Sequence, residues 1–293
     1  MSPESALADD EAASKVLAWA PTNGRDLPWR RTRNPWHVLL SEVMAQQTQV
    51  DRVIPKWLGF VDAYGDPAVM AAAPLAEVLV AWSGLGYPRR ARDLHRSAQV
   101  IVERHGGQVP DSLEALLALP GIGPYTARAV LAFAFERDVA VVDTNVARVM
   151  ARTNGRTLRA AEVQSIADEC LPPGEGWAWN QALLDLGAMV CTARNPGCHR
   201  CPVRDRCVWR GEGDDPALGS AGVSGRQARF DGSDRQGRGR LMRVLGTAPV
   251  PSHELAIAMG WPADPDRALR VVSRLVDDGL VEWCNGWYRL PAS

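Results

Sequence analysis

Four of the six cysteines in this chain of 293 residues lie within one segment of seventeen residues. They are Cys191, Cys198, Cys201 and Cys207, with the spacing C-x6-C-x2-C-x5-C. The chain has no basic start followed by an apolar run, and no apolar stretch of about 18 residues, so we expect a cytoplasmic protein without a membrane span. In a reducing compartment, clustered cysteines are more often metal ligands than disulfide partners. The segment therefore predicts a metal centre.

The charged residues do not describe a uniformly basic protein, because the formal net charge is -1. Lysine occurs only at Lys15 and Lys56, so nearly all of the 33 basic residues are arginine. The arginines cluster along the chain, and a local basic face can bind nucleic acid without a high overall pI. Any one cluster taken alone is typical of a solvated surface.

Apolar residues recur at helical spacing through most of the chain up to residue 210, which predicts a mostly α protein. Residues 211–239 are rich in Gly, Ser, Asp and Arg and are interpreted as a linker. Residues 240–293 carry three helical patterns and a hairpin with an Asn285-Gly286 turn, which predicts a small winged-helix-like module. The pattern leaves open whether the module contacts DNA or stabilises the protein.

The sequence Leu-Pro-Gly-Ile-Gly at residues 119–123 lies between two apolar helical patterns. Gly121 and Gly123 permit positive φ and close backbone approach, and Pro124 suits the first position of the second helix. Amides at the start of a helix bind anions, so a DNA phosphate is the expected ligand. An ordinary turn between helices is the alternative.

These motifs carry a family resemblance. Leu-Pro-Gly-Ile-Gly, followed by Val-Asp-Thr-Asn-Val at residues 142–146, resembles the helix-hairpin-helix DNA glycosylases. The cysteine run resembles the branch that holds a 4Fe-4S cluster. Zinc is the alternative, but zinc sites usually show two short cysteine pairs and here only Cys198 and Cys201 form one.

The resemblance implies a two-lobed helix-hairpin-helix glycosylase fold with a 4Fe-4S cluster loop over residues 1–210. A six-helix lobe is expected at about 30–135, and a cluster lobe at 8–29 plus 136–210. Arg194 in the cluster loop, with Arg200 nearby, is expected to reach DNA phosphates.

Four further segments resemble the adenine DNA glycosylases (the MutY family) in particular. They are Leu-Pro-Trp-Arg at 27–30, Ser-Glu-Val-Met-Ala-Gln-Gln-Thr-Gln at 41–49, Gly-Leu-Gly-Tyr at 84–87 and Asn-Gln-Ala-Leu-Leu-Asp-Leu-Gly at 180–187. The resemblance implies removal of adenine mispaired with 8-oxoguanine or guanine, by hydrolysis of the N-glycosidic bond after the nucleotide is flipped from the duplex. The expected partner is double-stranded DNA with adenine mispairs, bound by a monomer.

Two carboxylates can divide the work of breaking a glycosidic bond. The resemblance places Glu42 at the adenine as general acid, and an apolar helix face is expected to keep its carboxyl group protonated near neutral pH. Asp143 would remain ionised against the developing sugar cation while capping the helix that follows it. Asn145 is expected to orient Asp143 or a water.

Tyr125 stands where bifunctional relatives carry a lysine that forms a Schiff base. A phenol cannot form an imine, and no lysine follows Lys56. The sequence therefore predicts a monofunctional glycosylase with little or no lyase activity.

The remaining site residues follow from the resemblance alone. Gln47 and Tyr87 are expected to fill the gap left by the flipped base, with Thr48 near the opposite base. Arg30, Trp29 and Gln181 are placed around the adenine, where the Gln181 amide can pair with its amino edge.

Two other functions stay open at this point. One is a thymine or uracil mismatch glycosylase, because relatives of that activity share a monofunctional site; Gln47 and Gln181 favour adenine. The other is a non-catalytic Fe-S protein that binds damaged DNA, against which the presence of both Glu42 and Asp143 argues. Long adenine glycosylases carry a C-terminal Nudix-like domain that reads 8-oxoguanine, whereas this chain shows the winged-helix pattern instead.

Overall fold

The computed structural model describes residues 6–223 and 229–291, and it is mostly helical, as predicted. The predicted regions 1–210, 211–239 and 240–293 also include residues 1–5, 224–228 and 292–293, which lie outside the described residues. No helix in the described part of the chain has both the length and the apolar character needed to cross a membrane.

The helices of the described residues are numbered in chain order. They are α1 (Asp10–Asn23), α2 (Pro35–Ala45), α3 (Val50–Tyr64), α4 (Pro67–Ala72), α5 (Leu75–Trp82), α6 (Arg89–His105), α7 (Leu113–Leu117), α8 (Pro124–Phe133), α9 (Thr144–Asn154), α10 (Ala160–Glu169), α11 (Gly176–Asp185), α12 (Asp234–Leu245), α13 (Leu255–Met259) and α14 (Pro265–Asp277). A π-helical segment, Leu186–Val190, follows α11, and 3-10 turns occur at Pro28–Arg31, Cys198–Arg200 and Ser252–Glu254. Three short strands, β1 (Val250–Pro251), β2 (Glu282–Cys284) and β3 (Trp287–Arg289), complete the fold.

Short polar side chains start several of these helices. Each accepts a hydrogen bond from a backbone N–H of the first turn, which otherwise has no partner within the helix. The capping residues of α1, α4, α9, α12 and α14 are Asp9, Asp66, Asp143, Ser233 and Asp264. The sequence therefore marks the beginnings of these helices through side-chain chemistry as well as through apolar spacing.

The described residues divide into two compact units. The first unit contains residues 6–38, 111–113 and 123–223, and the second contains 39–110, 114–122 and 229–291. These boundaries differ from the predicted lobes at about 30–135 and at 8–29 plus 136–210. The assignment of functional domains to these units stays a prediction.

The core of the first unit forms where α1 and α9 pack against α11. Trp179 of α11 is fully enclosed, and Val146 and Met150 of α9 are buried with it. Asn180 holds the backbone segment that precedes α9. Its side chain accepts a hydrogen bond from the Val141 N–H at 2.8 Å and donates one to the Val139 carbonyl at 2.9 Å. A buried amide is therefore satisfied by the backbone of the segment that leads to Asp143.

The segment that follows the last clustered cysteine lies along α9 rather than leaving the unit at residue 211. The Val208 N–H donates to the Thr153 carbonyl at 3.1 Å, and the Ala221 N–H donates to the Leu158 carbonyl at 2.9 Å. Asp215 forms an ion pair with buried Arg152 at 2.6 Å. Helix α12 begins at Asp234, within the range 211–239 that is interpreted as a linker, and the bounds of that linker stay a prediction.

The second unit includes α3 to α6, which pack around an aromatic cluster. The rings of Phe60 and Tyr64 lie 5.3 Å apart, and Trp82 meets Phe60 edge-on at 5.7 Å. Such tilted and edge-on contacts are favourable beyond the area that they bury. Helix α6 packs against both α4 and α5.

The C-terminal part of the second unit has the helices and hairpin predicted for a winged-helix-like module. Helix α13 packs against α12 and α14, and the strands form an antiparallel sheet in the order β1-β3-β2. Asn285 and Gly286 both have positive φ, 48° and 85°, as a tight hairpin turn requires. The additional strand β1 pairs with β3 through Val250 and Tyr288.

A buried ion pair fixes the turn Pro28–Arg31 to the end of α11. Arg30 binds Asp185 through two parallel hydrogen bonds of 2.7 and 2.8 Å, and Arg25 donates to the same carboxylate at 2.6 Å. The Asp185 side chain is 2% exposed. Burial acts to raise the pKa of Asp185, but the two guanidinium groups hold it below its ordinary value.

Asp185→Asn is expected to lower the free energy of unfolding by about 3 kcal/mol near neutral pH, because it leaves two partly buried arginines short of a counter-charge. A carboxylate with a lowered pKa stabilises the fold above its unfolded pKa of about 3.9, and this contribution is lost as pH falls through the folded value. Urea unfolding of wild type and variant should therefore differ at pH 7 and converge below about pH 4. Asp26→Asn, in an exposed pair with Arg31, is the control and should leave the unfolding midpoint unchanged at both pH values.

Candidate active site and cysteine centre

Asp143 is the N-cap of α9, as predicted. Its Oδ1 accepts hydrogen bonds from the Asn145 and Val146 amides at 2.7 Å each, and its Oδ2 accepts from the Asn145 side chain at 2.7 Å. Burial raises the pKa of Asp143, and these three donors act in the opposite direction. The positive end of the α9 dipole also favours the ionised form. The carboxylate is thus enclosed and held in one orientation.

Asn145 connects Asp143 to a buried arginine. The Arg148 guanidinium donates to Asn145 Oδ1 at 2.8 Å, to the Gly187 carbonyl at 2.7 Å and to the Cys191 carbonyl at 2.7 Å. Arg148 is only 5% exposed. A continuous line of hydrogen bonds therefore runs from the Asp143 carboxylate to the backbone of the first clustered cysteine.

Gly187 allows this arrangement because a side chain would not fit there. A Cβ built at this position would lie 2.7 Å from the Asn145 Cβ and 2.8 Å from the Asn145 carbonyl oxygen. Any larger residue would push α9 and its cap away from the π-helical segment. The glycine that ends the 180–187 motif thus has a packing role.

Arg152, one turn after Arg148, contacts the cysteine loop itself. It donates to Cys191 Sγ at 3.4 Å and to the Thr192 carbonyl at 2.7 Å. Its guanidinium also lies 4.5 Å from the centre of the Trp209 ring. Arg152 is only 1% exposed. Its charge is balanced by the ion pair with Asp215, and one of its N–H groups points at the sulfur of Cys191.

All four clustered cysteines line one cavity against α9. Its other walls are apolar or cationic side chains, among them Val149, Leu186, Val203, Trp209, Arg152, Arg204 and Arg210. Burial raises the pKa of Cys201 to about 11 and also raises the pKa values of Cys191 and Cys207. Such thiols ionise when a metal supplies positive charge, and soft sulfur donors suit iron–sulfur chemistry.

The same residues do not describe a compact site for one ion. Among residues 6–223 and 229–291, no group of three or more His, Cys, Asp or Glu side chains is placed to hold a single metal ion. The cavity has four thiols at its walls and three arginines among its lining residues, a donor set whose sulfur atoms suit an iron–sulfur centre.

Glu42 lies in α2, in the run of residues 38–44 that is buried throughout. Its own exposure is 8%. Leu39, Val43 and Met44 of the same helix are buried as well, so Glu42 lies within a buried stretch of α2. Few glutamates are this deeply buried in proteins, and a buried carboxyl group is a candidate for proton transfer.

Within the second unit, Arg90 connects the loop that contains Gln47 and Thr48 to the loop that leads into Tyr87. Its guanidinium donates to the Gln46 carbonyl at 2.6 Å and to Thr48 Oγ1 at 3.1 Å on one loop. On the other loop it donates to the Leu85 and Gly86 carbonyls at 3.2 and 3.1 Å. It also lies 5.3 Å from the centre of the Tyr87 ring.

Both loops held by Arg90 place a non-glycine residue in the left-handed region. Gln47 has φ 54° and Tyr87 has φ 49°. This conformation costs about 1 kcal/mol per residue, so each loop needs support from its surroundings. Burial lowers the pKa of Arg90 to about 10, which leaves it charged at neutral pH.

The predicted phosphate hairpin uses its two glycines differently. Gly121 has φ 73°, and a Cβ there would lie 2.6 Å from the Asp93 Cβ. Gly123 has an ordinary φ of -98° and caps α8, and a Cβ there would meet no atom within 4 Å. Gly121 thus serves close packing, whereas Gly123 leaves open space at the start of α8.

The structure also locates the other predicted site residues. Tyr125 is half-buried in the first turn of α8, and Gln181 is half-buried in α11. Trp29 is buried, and Arg30 is engaged in the ion pair with Asp185. Arg194 is exposed in the cysteine loop, while Arg200 donates to the Met189 carbonyl at 2.5 Å.

Comparison with known proteins places this arrangement in a family. Residues 40–173 match the HhH-GPD superfamily of base excision DNA repair proteins. The adenine DNA glycosylase of Mycobacterium tuberculosis (strain CDC 1551 / Oshkosh) is 43% identical over 286 residues, which cover 95% of this chain and 93% of that protein. This chain belongs to the adenine DNA glycosylase family.

The cofactor prediction is confirmed by a second match. Residues 191–207 match the iron-sulfur binding domain of endonuclease III, and all four clustered cysteines lie in this segment.

Solved structures show the same fold for the DNA glycosylase family. A thermostable thymine-DNA glycosylase superposes with a TM-score of 0.63 at 30% identity, covering 68% of this chain and 94% of that chain. A trapped endonuclease III–DNA covalent intermediate superposes with a TM-score of 0.61 at 25% identity, covering 68% and 93%. The predicted helix-hairpin-helix glycosylase fold is therefore confirmed.

Sequence reasoning missed the arginines that organise this glycosylase. The sequence motifs include neither Arg148 nor Arg152, and Arg90 belongs to one of the arginine clusters that, taken alone, are typical of a solvated surface. One signal was available: Asn145, Arg148 and Arg152 share one face of α9 at spacings of three and four, among residues that are otherwise apolar. A charged residue in line with a buried face indicates a buried partner.

Arg148→Gln is expected to reduce the iron content per purified chain and to lower the free energy of unfolding by about 3 kcal/mol, because three buried acceptors lose their donor. Iron analysis, visible absorbance of the cluster and thermal unfolding measure the two effects. Arg159→Gln changes the same charge at a side chain that is 87% exposed and serves as the control. Equal iron content and equal unfolding in the two variants would contradict the role given to Arg148.

Proposed function

We propose that this chain hydrolyses the N-glycosidic bond of adenine mispaired with 8-oxoguanine or guanine in double-stranded DNA, as an adenine DNA glycosylase of base excision repair. The observation that carries this proposal is its 43% identity over 95% of its length to a mycobacterial adenine DNA glycosylase. The adenine must leave the base stack to be reached, so the reaction begins with a flipped nucleotide.

Glu42 is proposed as the general acid. Protonation at adenine N7 makes the base a better leaving group, and a carboxyl group buried in α2 is suited to hold the proton that is transferred. After the bond breaks, the carboxylate of Glu42 can accept a proton from the incoming water. Its burial is the structural support for this role.

Asp143 is proposed to stabilise the positive charge that develops on the sugar. Burial raises the pKa of Asp143, and its three hydrogen-bond donors and the start of α9 act in the opposite direction and favour the ionised form. A charge pair at about 4 Å and an effective dielectric near 20 is worth about 4 kcal/mol. That corresponds to about three decades in rate. Asn145 orients this carboxylate.

The remaining residues bind DNA and the two bases. Gln181 and Trp29 are proposed to contact the adenine, with Arg30 supporting them through Asp185. Gln47, Thr48 and Tyr87 are proposed to occupy the gap beside the opposite base, held by Arg90. Gly121, Gly123 and Arg194 are proposed to bind phosphates.

Cys191, Cys198, Cys201 and Cys207 are proposed as the four ligands of the 4Fe-4S cluster. The cluster, when bound, supplies a rigid cross-link that fixes the loop bearing Arg194. Arg148 and Arg152 connect this loop to α9, so the loop and Asp143 share one support.

A thymine or uracil mismatch glycosylase is the second candidate, because a thymine-DNA glycosylase structure is 30% identical to this chain. That similarity covers 68% of the chain, whereas the adenine glycosylase match continues through the C-terminal module.

We also propose that the enzyme acts as a monomer in the cytoplasm. Its elution volume in size-exclusion chromatography with light scattering tests the oligomeric state.

The proposal is tested with duplexes that each contain one mispair: A opposite 8-oxoguanine, A opposite G, T opposite G and U opposite G. Under single-turnover conditions, both adenine substrates should be cut and the pyrimidine substrates should stay intact. Cleavage of T opposite G alone would establish the second candidate.

Glu42→Gln should lower the excision rate by at least about three decades while sparing binding, because it removes the proton donor. Glu103→Gln, an exposed glutamate of α6, is the control and should excise at the wild-type rate.

Tyr125→Lys is expected to gain some lyase activity. An amine in the first turn of α8 lies at the positive end of the helix dipole, which favours its neutral, nucleophilic form. Borohydride should then trap a covalent complex with DNA, and the trapped band is read on a denaturing gel. Tyr125→Gln, which has no amine, is the control. Trapping of the wild-type protein at the level of the lysine variant would contradict the monofunctional assignment.

A further inference from the structure

The C-terminal module, which in the structure begins with α12 at Asp234, contacts Tyr87, the residue proposed to lie beside the opposite base. Arg235, in the first turn of α12, donates from Nη1 to the Tyr87 hydroxyl oxygen at 3.3 Å. The same guanidinium lies 5.4 Å from the centre of the Phe230 ring. A residue far along the chain thus reaches the tip of a side chain that we place beside the opposite base.

A second contact ties the module to the residues that follow Tyr87. The Asp278 carboxylate, just after α14, accepts a hydrogen bond from Arg89, and the Asp278 carbonyl accepts one from Arg92. Arg89 and Arg92 form the first turn of α6, directly after the Tyr87-Pro88 dipeptide. The module therefore contacts both the Tyr87 side chain and the arginine side chains of the helical turn that follows it.

Tyr87 needs such support for two reasons. Its φ of 49° is unfavourable for an aromatic residue, and it follows Gly86, which also has positive φ. Arg90 contacts the face of the ring, and Arg235 fixes the hydroxyl group at its far end. A ring held at two points loses less conformational freedom when it enters a duplex than a freely rotating one.

We propose that Arg235 is a positioning residue for Tyr87, so that the C-terminal module takes part in reading the mispair. The inference rests on the proposed function, because it needs Tyr87 to contact DNA beside the opposite base. Arg235 acts through Tyr87 and has no role in bond cleavage.

The test uses the full-length protein with the substitutions Arg235→Ala, Arg235→Lys, Tyr87→Phe and the double change Arg235→Ala with Tyr87→Phe. Arg243→Ala, an exposed arginine of the same helix, is the matched control for loss of charge. Binding is measured on a duplex with a non-cleavable deoxyadenosine analogue opposite guanine, and on a matched duplex without a mispair. Thermal unfolding of each variant establishes that it is folded.

Arg235→Ala should weaken binding to the mispaired duplex about two- to tenfold, as expected for one hydrogen bond, with a smaller change on the matched duplex. The single-turnover excision rate at saturating enzyme should change less than the binding constant. Arg235→Lys should recover part of the affinity, and the double variant should bind no more weakly than the weaker single variant. Losses that multiply in the double variant, or an equal loss in Arg243→Ala, would overturn the proposal.

A readout without activity separates this inference from the proposed function. The chain has four tyrosines, so 3-fluorotyrosine labelling gives a small set of 19F resonances, and Tyr87→Phe identifies the one from Tyr87. Arg235→Ala should shift or broaden that resonance, whereas Arg243→Ala should not. An unchanged resonance would exclude the positioning contact even in an enzyme that excises adenine. A shifted resonance in a protein that cuts none of the duplexes would support the contact and remove the proposed function.

Discussion

The buried arginines of α9 are the interaction on which the first unit depends. Arg148 and Arg152 lie one turn apart on a face that is otherwise apolar, and together they bind two carbonyls and the sulfur of the cysteine loop, the Gly187 carbonyl and Asp215. An arginine without such partners would be strongly destabilising at this depth. Helix α9 therefore needs three segments packed around it: the cysteine loop, the π-helical segment, and the residues after Cys207 that include Asp215. The N-terminus of this same helix carries Asp143, so its orientation follows from the same contacts.

Arg90 solves the corresponding problem in the second unit by the same means. Loops that turn through left-handed residues leave carbonyl groups pointing inward, without partners from regular secondary structure. A planar guanidinium with five N–H donors can satisfy several of them at once, which a lysine cannot do. Arg90 binds carbonyls at the end of α2 and in the loop that follows it, and also in the loop between α5 and α6.

The sequence was sufficient for the features that are written locally. The helices show apolar spacing and capping residues such as Asp143, the hairpin turn shows Asn285-Gly286, and the cysteine spacing indicates the cluster. The arginine contacts join residues about 40 positions apart, and no local pattern specifies such a partner. Gly237 lies in the glycine-rich run 211–239 that is interpreted as a linker, and α12 needs this glycine because a Cβ there would lie 2.2 Å from the Trp261 ring. Composition alone does not distinguish a glycine that loosens a chain from one that permits close packing.

The ionisation of Asp143 depends both on its burial and on the groups that hold its carboxylate in place. Burial disfavours the ionised carboxylate, while the Asn145 and Val146 amides, the Asn145 side chain and the nearby charge of Arg148 favour it. The result raises the pKa of Asp143, so the group is less strongly acidic than an exposed aspartate but is still surrounded by donors. Three hydrogen bonds keep the carboxylate in one orientation. In the role proposed for Asp143, a fixed orientation in an enclosed place strengthens its attraction for the sugar cation, because a buried charge is screened less by water. Arg148 therefore favours the ionised form of Asp143 through its own charge, and it supports the orientation of the carboxylate through its hydrogen bond to Asn145.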